Sequence, residues 1–169
     1  DADPQLTIIT IQDLATNSND LSLLMSCFVI ILLLFCSAMI SGSEVAFFSL
    51  NASTWENEKN SKSVNQIKKM LKKPNHLLAT ILISNNLINV GIIILATYIT
   101  NRIIYFSESP LISFILQIVI IAFALLLFGE VIPKIYANQK TLSFAKKMSG
   151  PLTFLNLVFK PFSQLLVSS

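Results

Sequence analysis

The stretch CFVIILLLFCSAMISGSEVAFF (residues 27–48) decides the fold. Its first half is unbroken hydrocarbon from Phe28 to Phe35, and its second half carries Ser37, Ser41, Gly42, Ser43 and Glu44. With its flanks, from Leu21 to about Leu50, it exceeds the ~20 residues an α-helix needs to cross a bilayer. A charge at bilayer depth costs about 2.5–3.5 kcal/mol on insertion scales. Polar groups in such a run therefore mark a place where the helix meets something other than lipid.

Two more apolar runs follow, 76–100 and 111–137, the latter built on LISFILQIVIIAFALLLF (111–128). Composition agrees: 53% of residues are hydrophobic and 12% charged, with mean hydropathy +0.69. A water-soluble domain carries about 25% charged residues, so this chain lacks the polar surface to cover a globule in water. The expected class is all-α integral membrane: three transmembrane helices plus juxtamembrane amphipathic helices. In the connection 51–75, Val64, Ile67 and Leu71 recur at helical spacing beside lysines, which predicts a basic amphipathic helix on a membrane surface. Residues 138–148 are polar with three lysines, and 151–167 read as an interfacial helix interrupted by Lys160 and Pro161. The whole of 138–169 is expected to be a juxtamembrane helical segment.

Charge placement predicts orientation. Lys+Arg total 12 and Arg102 is the one arginine, so eleven are lysines. All eleven fall in 51–75 or at and beyond the end of the third run. The opposite side holds the N-terminal aspartates, Arg102 and Glu108. The positive-inside rule then puts segment 1–20 outside and the C-terminus in the cytosol of a multi-pass inner-membrane protein. Segment 1–20 is polar and acidic and does not read as a signal peptide. The net charge of +3 gives no reason to expect nucleic acid. The lysine-rich side is expected to meet anionic lipids of the inner leaflet.

Each apolar run carries a polar cluster. On the first, Ser37, Ser41 and Glu44 share a narrow arc at 100° per residue, and Ser43 lies off it unless the helix distorts at Gly42. The second carries Ser84, Asn85, Asn86 and Asn89. The third carries Gly129-Glu130-Val131-Ile132-Pro133-Lys134. Pro133 has no N–H for the carbonyl four residues earlier, which frees that of Gly129. Irregular backbone at membrane depth is tolerated where it lines a cavity or ion site. All three clusters lie in the lysine-rich half of the bilayer, Asn85 and Asn86 about ten residues or ~15 Å from the start of their helix. Hydroxyls, amides, a carbonyl and carboxylates at one depth form an oxygen-only donor set, which suits Mg²⁺ or Ca²⁺ and not zinc or copper.

Blander readings stand beside this one. Serines and asparagines hydrogen-bond membrane helices together, and Glu44 or Glu130 can pair with a lysine such as Lys134. Cys27 and Cys36 point in opposite directions on one helix and read as small apolar residues. His76 stands alone, so neither a zinc protease nor a serine hydrolase has its parts, and no enzyme is expected.

SAMISGSEVAFFSLN (37–51), ILISNNLINVG (81–91) and FGEVIPKIYA (128–137) resemble the three helix motifs of the CorB/CorC and cyclin M (CNNM) magnesium transporter family, in the same order. The Ile-, Asn-, Lys- and Phe-rich composition fits a bacterial member, the gliding-motility-associated branch being one option. The resemblance implies a homodimer that moves Mg²⁺, exporting it in exchange for Na⁺. It also implies cytosolic CBS-pair domains that bind ATP, which are absent from these residues. Carried onto this chain, it implies Mg²⁺ ligands at Ser37, Ser41, Ser43, Asn85, Asn86, Gly129 and Glu130. Glu44, Asn89, Pro133 and Lys134 would shape the pocket and its charge. The alternative is a membrane anchor, scaffold or Mg²⁺-sensing accessory protein without transport.

Overall fold

A computed structural model describes residues 4–51, 61–103 and 110–162. The loop around Glu108, the part of the basic connection holding Lys59, and residues 1–3 lie outside that set. All regular structure in the described residues is helical, in six α-helices and one π-helical turn. α1 runs from Pro4 to Phe48, α2 from Lys62 to Leu71, and α3 from Pro74 to Ile103. The third long helix is built from α4 (Pro110–Ala124), a π segment (Leu125–Val131) and α5 (Ile132–Gln139). α6 runs from Thr141 to Val158, and residues 163–169 lie outside the described set.

Leu21–Phe48, Pro74–Asn101 and Phe114–Gln139 are long and apolar enough to cross a membrane. Their outer surfaces expose Leu24, Phe28, Ile31 and Phe35 on α1, and Ile112, Phe114, Ile118 and Phe123 on α4. Water would penalise that much bare hydrocarbon, at roughly 25 cal/mol per Å², whereas lipid does not. Lipid is the solvent these faces suit.

The core is gathered at the lysine-rich end. Ile40, Phe47, Ile67, Leu77, Ile81, Ala137, Phe144, Met148 and Leu152 form one cluster there, drawn from α1, α2, α3, α5 and α6. α1 contacts α3, α5, α6 and the π segment, and so forms the spine. It passes through Gly42 without a break. A Cβ at Gly42 would lie 2.7 Å from Phe144 Cζ and 3.1 Å from the Pro133 carbonyl oxygen. The glycine is needed for close approach, and that approach clamps α5 and α6 against α1 between Ser41 and Ser43.

α2 is amphipathic, but its apolar face does not meet a membrane. Val64, Ile67 and Met70 are buried, with Leu71 packed at the edge of the core, and α2 lies against α6. The reason is that α6 offers a complementary stripe at i, i+4, i+8: Phe144, Met148 and Leu152. Burying the three α2 side chains contributes roughly 5 kcal/mol as an upper estimate. α6 starts earlier than the apolar run 151–167 suggests and continues through Pro151. Local hydroxyls bond the backbone on either side of the proline, Ser149 Oγ donating to the Lys146 carbonyl and Thr153 Oγ1 to that of Ser149.

Candidate functional site

Ser37 and Ser41 sit one turn apart on the inner face of α1, and both are buried. Ser37 Oγ lies 2.7 Å from Asn89 Oδ1 and 3.1 Å from Asn85 Oδ1, both on α3. Asn89 in turn donates through Nδ2 to Glu130 Oε1 at 3.3 Å. The network thus ties α1, α3 and the π segment together at one level. It works because Asn85 and Asn89 are four residues apart and share a helix face.

The π segment brings Glu130 and Gly129 into this arrangement. A π turn steps hydrogen bonds five residues back, as seen where the Ile132 N–H bonds the Leu127 carbonyl. Pro133 follows at once and has no N–H. Pro133 stands at the start of α5, just past the π segment, where the four-residue step points its missing bond at Gly129. Gly129 faces Ser37: a Cβ there would be 3.2 Å from Ser37 Oγ. Its missing side chain is what lets backbone approach the serine.

Ser37 has one hydroxyl proton and two amide oxygens within reach. Ser41 Oγ is buried and has no hydrogen-bond partner, and a buried polar atom in that position costs about 1–3 kcal/mol. Glu130 adds a carboxylate that accepts from Asn89. Among the described residues, no three His, Cys, Asp or Glu side chains converge. The donor set is hydroxyl, amide and carboxylate oxygen.

The other residues singled out on the sequence fall nearby in different roles. Glu44 Oε2 pairs with Lys134 Nζ at 3.0 Å, which joins α1 to α5, and both side chains are about one-third exposed. Pro133 is buried, with its carbonyl against Gly42. Ser43 is buried but turned aside, its hydroxyl donating to the Met39 carbonyl of its own helix at 2.7 Å. On an unbroken α1 it stays off the arc of Ser37 and Ser41. Asn86 is exposed, 100° around α3 from Asn85, and takes no part in the network. Ser84 is buried and bonds the Thr80 carbonyl.

Sequence reasoning missed two contributors. Phe144 caps Gly42 and stacks edge-on with Tyr136. Asn156 accepts from Thr80 Oγ1 at 3.2 Å, which anchors α6 to α3. The spacing of Phe144, Met148 and Leu152 was the available signal for the first. A lone asparagine in an apolar run was the signal for the second.

Comparison with known proteins identifies the family. The family model described as the cyclin M transmembrane N-terminal domain matches residues 28–169. The chain belongs to the cyclin M transmembrane family. Two similar curated relatives are bacterial. A UPF0053 protein of Haemophilus influenzae is 34% identical over 135 residues, covering 79% of this chain and 31% of the relative. The UPF0053 inner membrane protein YfjD of Escherichia coli K12 is 31% identical over 121 residues, covering 70% of this chain and 26% of the relative. The chain therefore spans about a third or less of the curated relatives it matches. This cyclin M domain is a membrane protein, and the match includes all three polar clusters: Ser37 to Glu44, Asn85 to Asn89, and Gly129 to Lys134.

Proposed function

We propose that this cyclin M domain binds and moves Mg²⁺ across the cell membrane through the oxygen cluster between α1, α3 and the π segment. The observation that carries the reading is that Ser37, Asn85, Asn89 and Glu130 meet from three helices while the buried Ser41 hydroxyl, one turn from Ser37, has no partner. A cation would give that hydroxyl oxygen a partner and neutralise the carboxylate. Ser37, Ser41, Asn85, Glu130 and the backbone at Gly129 are the ligands. Asn89 holds Ser37 and Glu130 in place, and Ser43 and Asn86 stay outside the first set.

Hydroxyl, amide and carboxylate oxygens suit a hard divalent cation, and Mg²⁺ takes such oxygens in an octahedron at about 2.0–2.1 Å. Because Mg²⁺ gives up water reluctantly, several fixed oxygens with a carboxylate must replace its shell together.

The lysine-rich end faces the cytosol in this reading, with the N-terminal end of α1 outside. The site then opens inward, Mg²⁺ leaves the cell, and Na⁺ entry drives it. Two copies form the working unit, and CBS-pair domains elsewhere in the full protein bring ATP control. The supporting experiment is indicator-based Mg²⁺ flux in proteoliposomes of the full-length protein. Flux that depends on a Na⁺ gradient and is lost in Glu130→Gln is expected. Absence of Mg²⁺ movement under every Na⁺ gradient defeats it.

A second reading is favoured by the short share of the relatives covered here, which leaves most of their length to other domains. In it the chain is an anchor or Mg²⁺ sensor, and Asn85→Ala and Glu130→Gln leave the cellular role intact.

A further inference from the structure

We propose that the C-terminal end of α2 and the outer face of α6 together form a seat for an anionic phospholipid. Two features meet there. Met70 Sδ lies 3.8 Å from Thr153 Oγ1, which fixes the end of α2 beside the second half of α6. Lys69, Lys72 and Lys73 are within a turn of Met70 and are exposed. Phe154, Leu157 and Val158 are within two turns of Thr153 and are also exposed, the first two at 66% and 71%. Around α6, Leu157 lies opposite the buried stripe of Phe144, Met148 and Leu152, Phe154 about 120° from its centre, and Val158 at its flank.

Depth separates the two features in the way a lipid requires. Lys72 and Lys73 immediately precede Pro74, where the second membrane span begins, so they stand at its mouth. Asn156 contacts Thr80, six residues into α3 and about 9 Å deeper. Phe154 adjoins Thr153 beside Met70, and Leu157 and Val158 adjoin Asn156 beside Thr80, so the apolar face starts at the lysine level and runs inward from it. A lysine rim above a hydrocarbon face matches a phosphate above acyl chains.

The occupant is argued from charge. The carboxylates whose side chains are described in this region, Glu44 and Glu130, are engaged with Lys134 and Asn89. Among the described residues no carboxylate pairs with Lys69, Lys72 or Lys73. The apolar side of α2 is spent on α6, so these lysines do not serve to sink α2 into the membrane. They are held in fixed positions over lipid, where each attracts an anionic headgroup by about fivefold in binding.

The test is native mass spectrometry of the chain released from nanodiscs holding equal phosphatidylglycerol and phosphatidylcholine, read as the ratio of the two lipids retained. Phosphatidylglycerol is expected in excess for the wild type. Lys69→Gln/Lys72→Gln/Lys73→Gln removes the excess, while the matching triple arginine variant keeps it. Phe154→Ser/Leu157→Ser lowers retention of both lipids. Equal retention by the wild type, or an excess untouched by the glutamine changes, overturns the proposal. So does an excess abolished by free inorganic phosphate, which would mark a phosphate site without a lipid.

Discussion

Replacing Ser41 with alanine separates a cation site from simple helix glue by the sign of one measurement. The Ser41 hydroxyl is buried and finds no partner among the protein's own groups. An unmet buried hydroxyl costs about 1–3 kcal/mol, and removing one oxygen opens almost no cavity. Ser41→Ala should therefore stabilise the Mg²⁺-free chain by about 1 kcal/mol. Mg²⁺ acts in the opposite direction. A ligand that binds only the folded state adds RT ln(1 + [L]/Kd), about 2.7 kcal/mol at a hundredfold excess over Kd. Losing one oxygen ligand shrinks that gain. The assay is thermal unfolding of purified protein in detergent, with and without Mg²⁺, followed by circular dichroism. The expected pattern is a higher midpoint without Mg²⁺ and a smaller Mg²⁺-induced rise. A lower midpoint without Mg²⁺ and an unchanged rise would refute the reasoning, because that is what loss of a helix–helix hydrogen bond produces.

Three further outcomes follow from the same contacts. Gly129→Ala puts a methyl 3.2 Å from Ser37 Oγ, and displacing that serine should lower Mg²⁺ affinity about 10–100-fold by calorimetry. Gly42→Ala meets Phe144 and the Pro133 carbonyl. Overpacking of about 1–3 kcal/mol less about 1 kcal/mol of helix propensity leaves a net loss of about 1 kcal/mol. That loss should shrink in a Phe144→Ala background, as a double-mutant cycle on unfolding midpoints would read. Glu44→Gln should cost under about 1 kcal/mol, since the pair with Lys134 is partly exposed. The Glu44→Lys/Lys134→Glu exchange should recover most of it.

Much of the fold is legible in the residues because lipid imposes so simple a rule. Phe28 to Phe35 lies in a run long and apolar enough to face lipid, and the long apolar runs mark the spans. The polar clusters are legible for the same reason: Ser37, Asn85 and Glu130 would each be stranded in hydrocarbon unless they met. What escaped was geometry that depends on neighbours. A 100° difference separates Asn85 in the network from Asn86 outside it, and their identical chemistry gives no hint which is which. Ser43 shows the same limit, because its direction hinges on whether α1 stays regular at Gly42. The π turn over Leu125–Val131 is a second limit, because nothing in those residues marks it apart from the proline that follows. α2 reads as a surface helix until the stripe on α6 that covers it is known.

The account stands on oxygens from three helices converging on one cation. Electron paramagnetic resonance of Mn²⁺ added to the purified chain tests this most directly, with Mg²⁺ as competitor. The account predicts a bound Mn²⁺ signal that Mg²⁺ displaces and that Ser37→Ala, Asn85→Ala and Glu130→Gln each weaken. A signal indifferent to all three substitutions, or no bound Mn²⁺ in a folded protein, would contradict it.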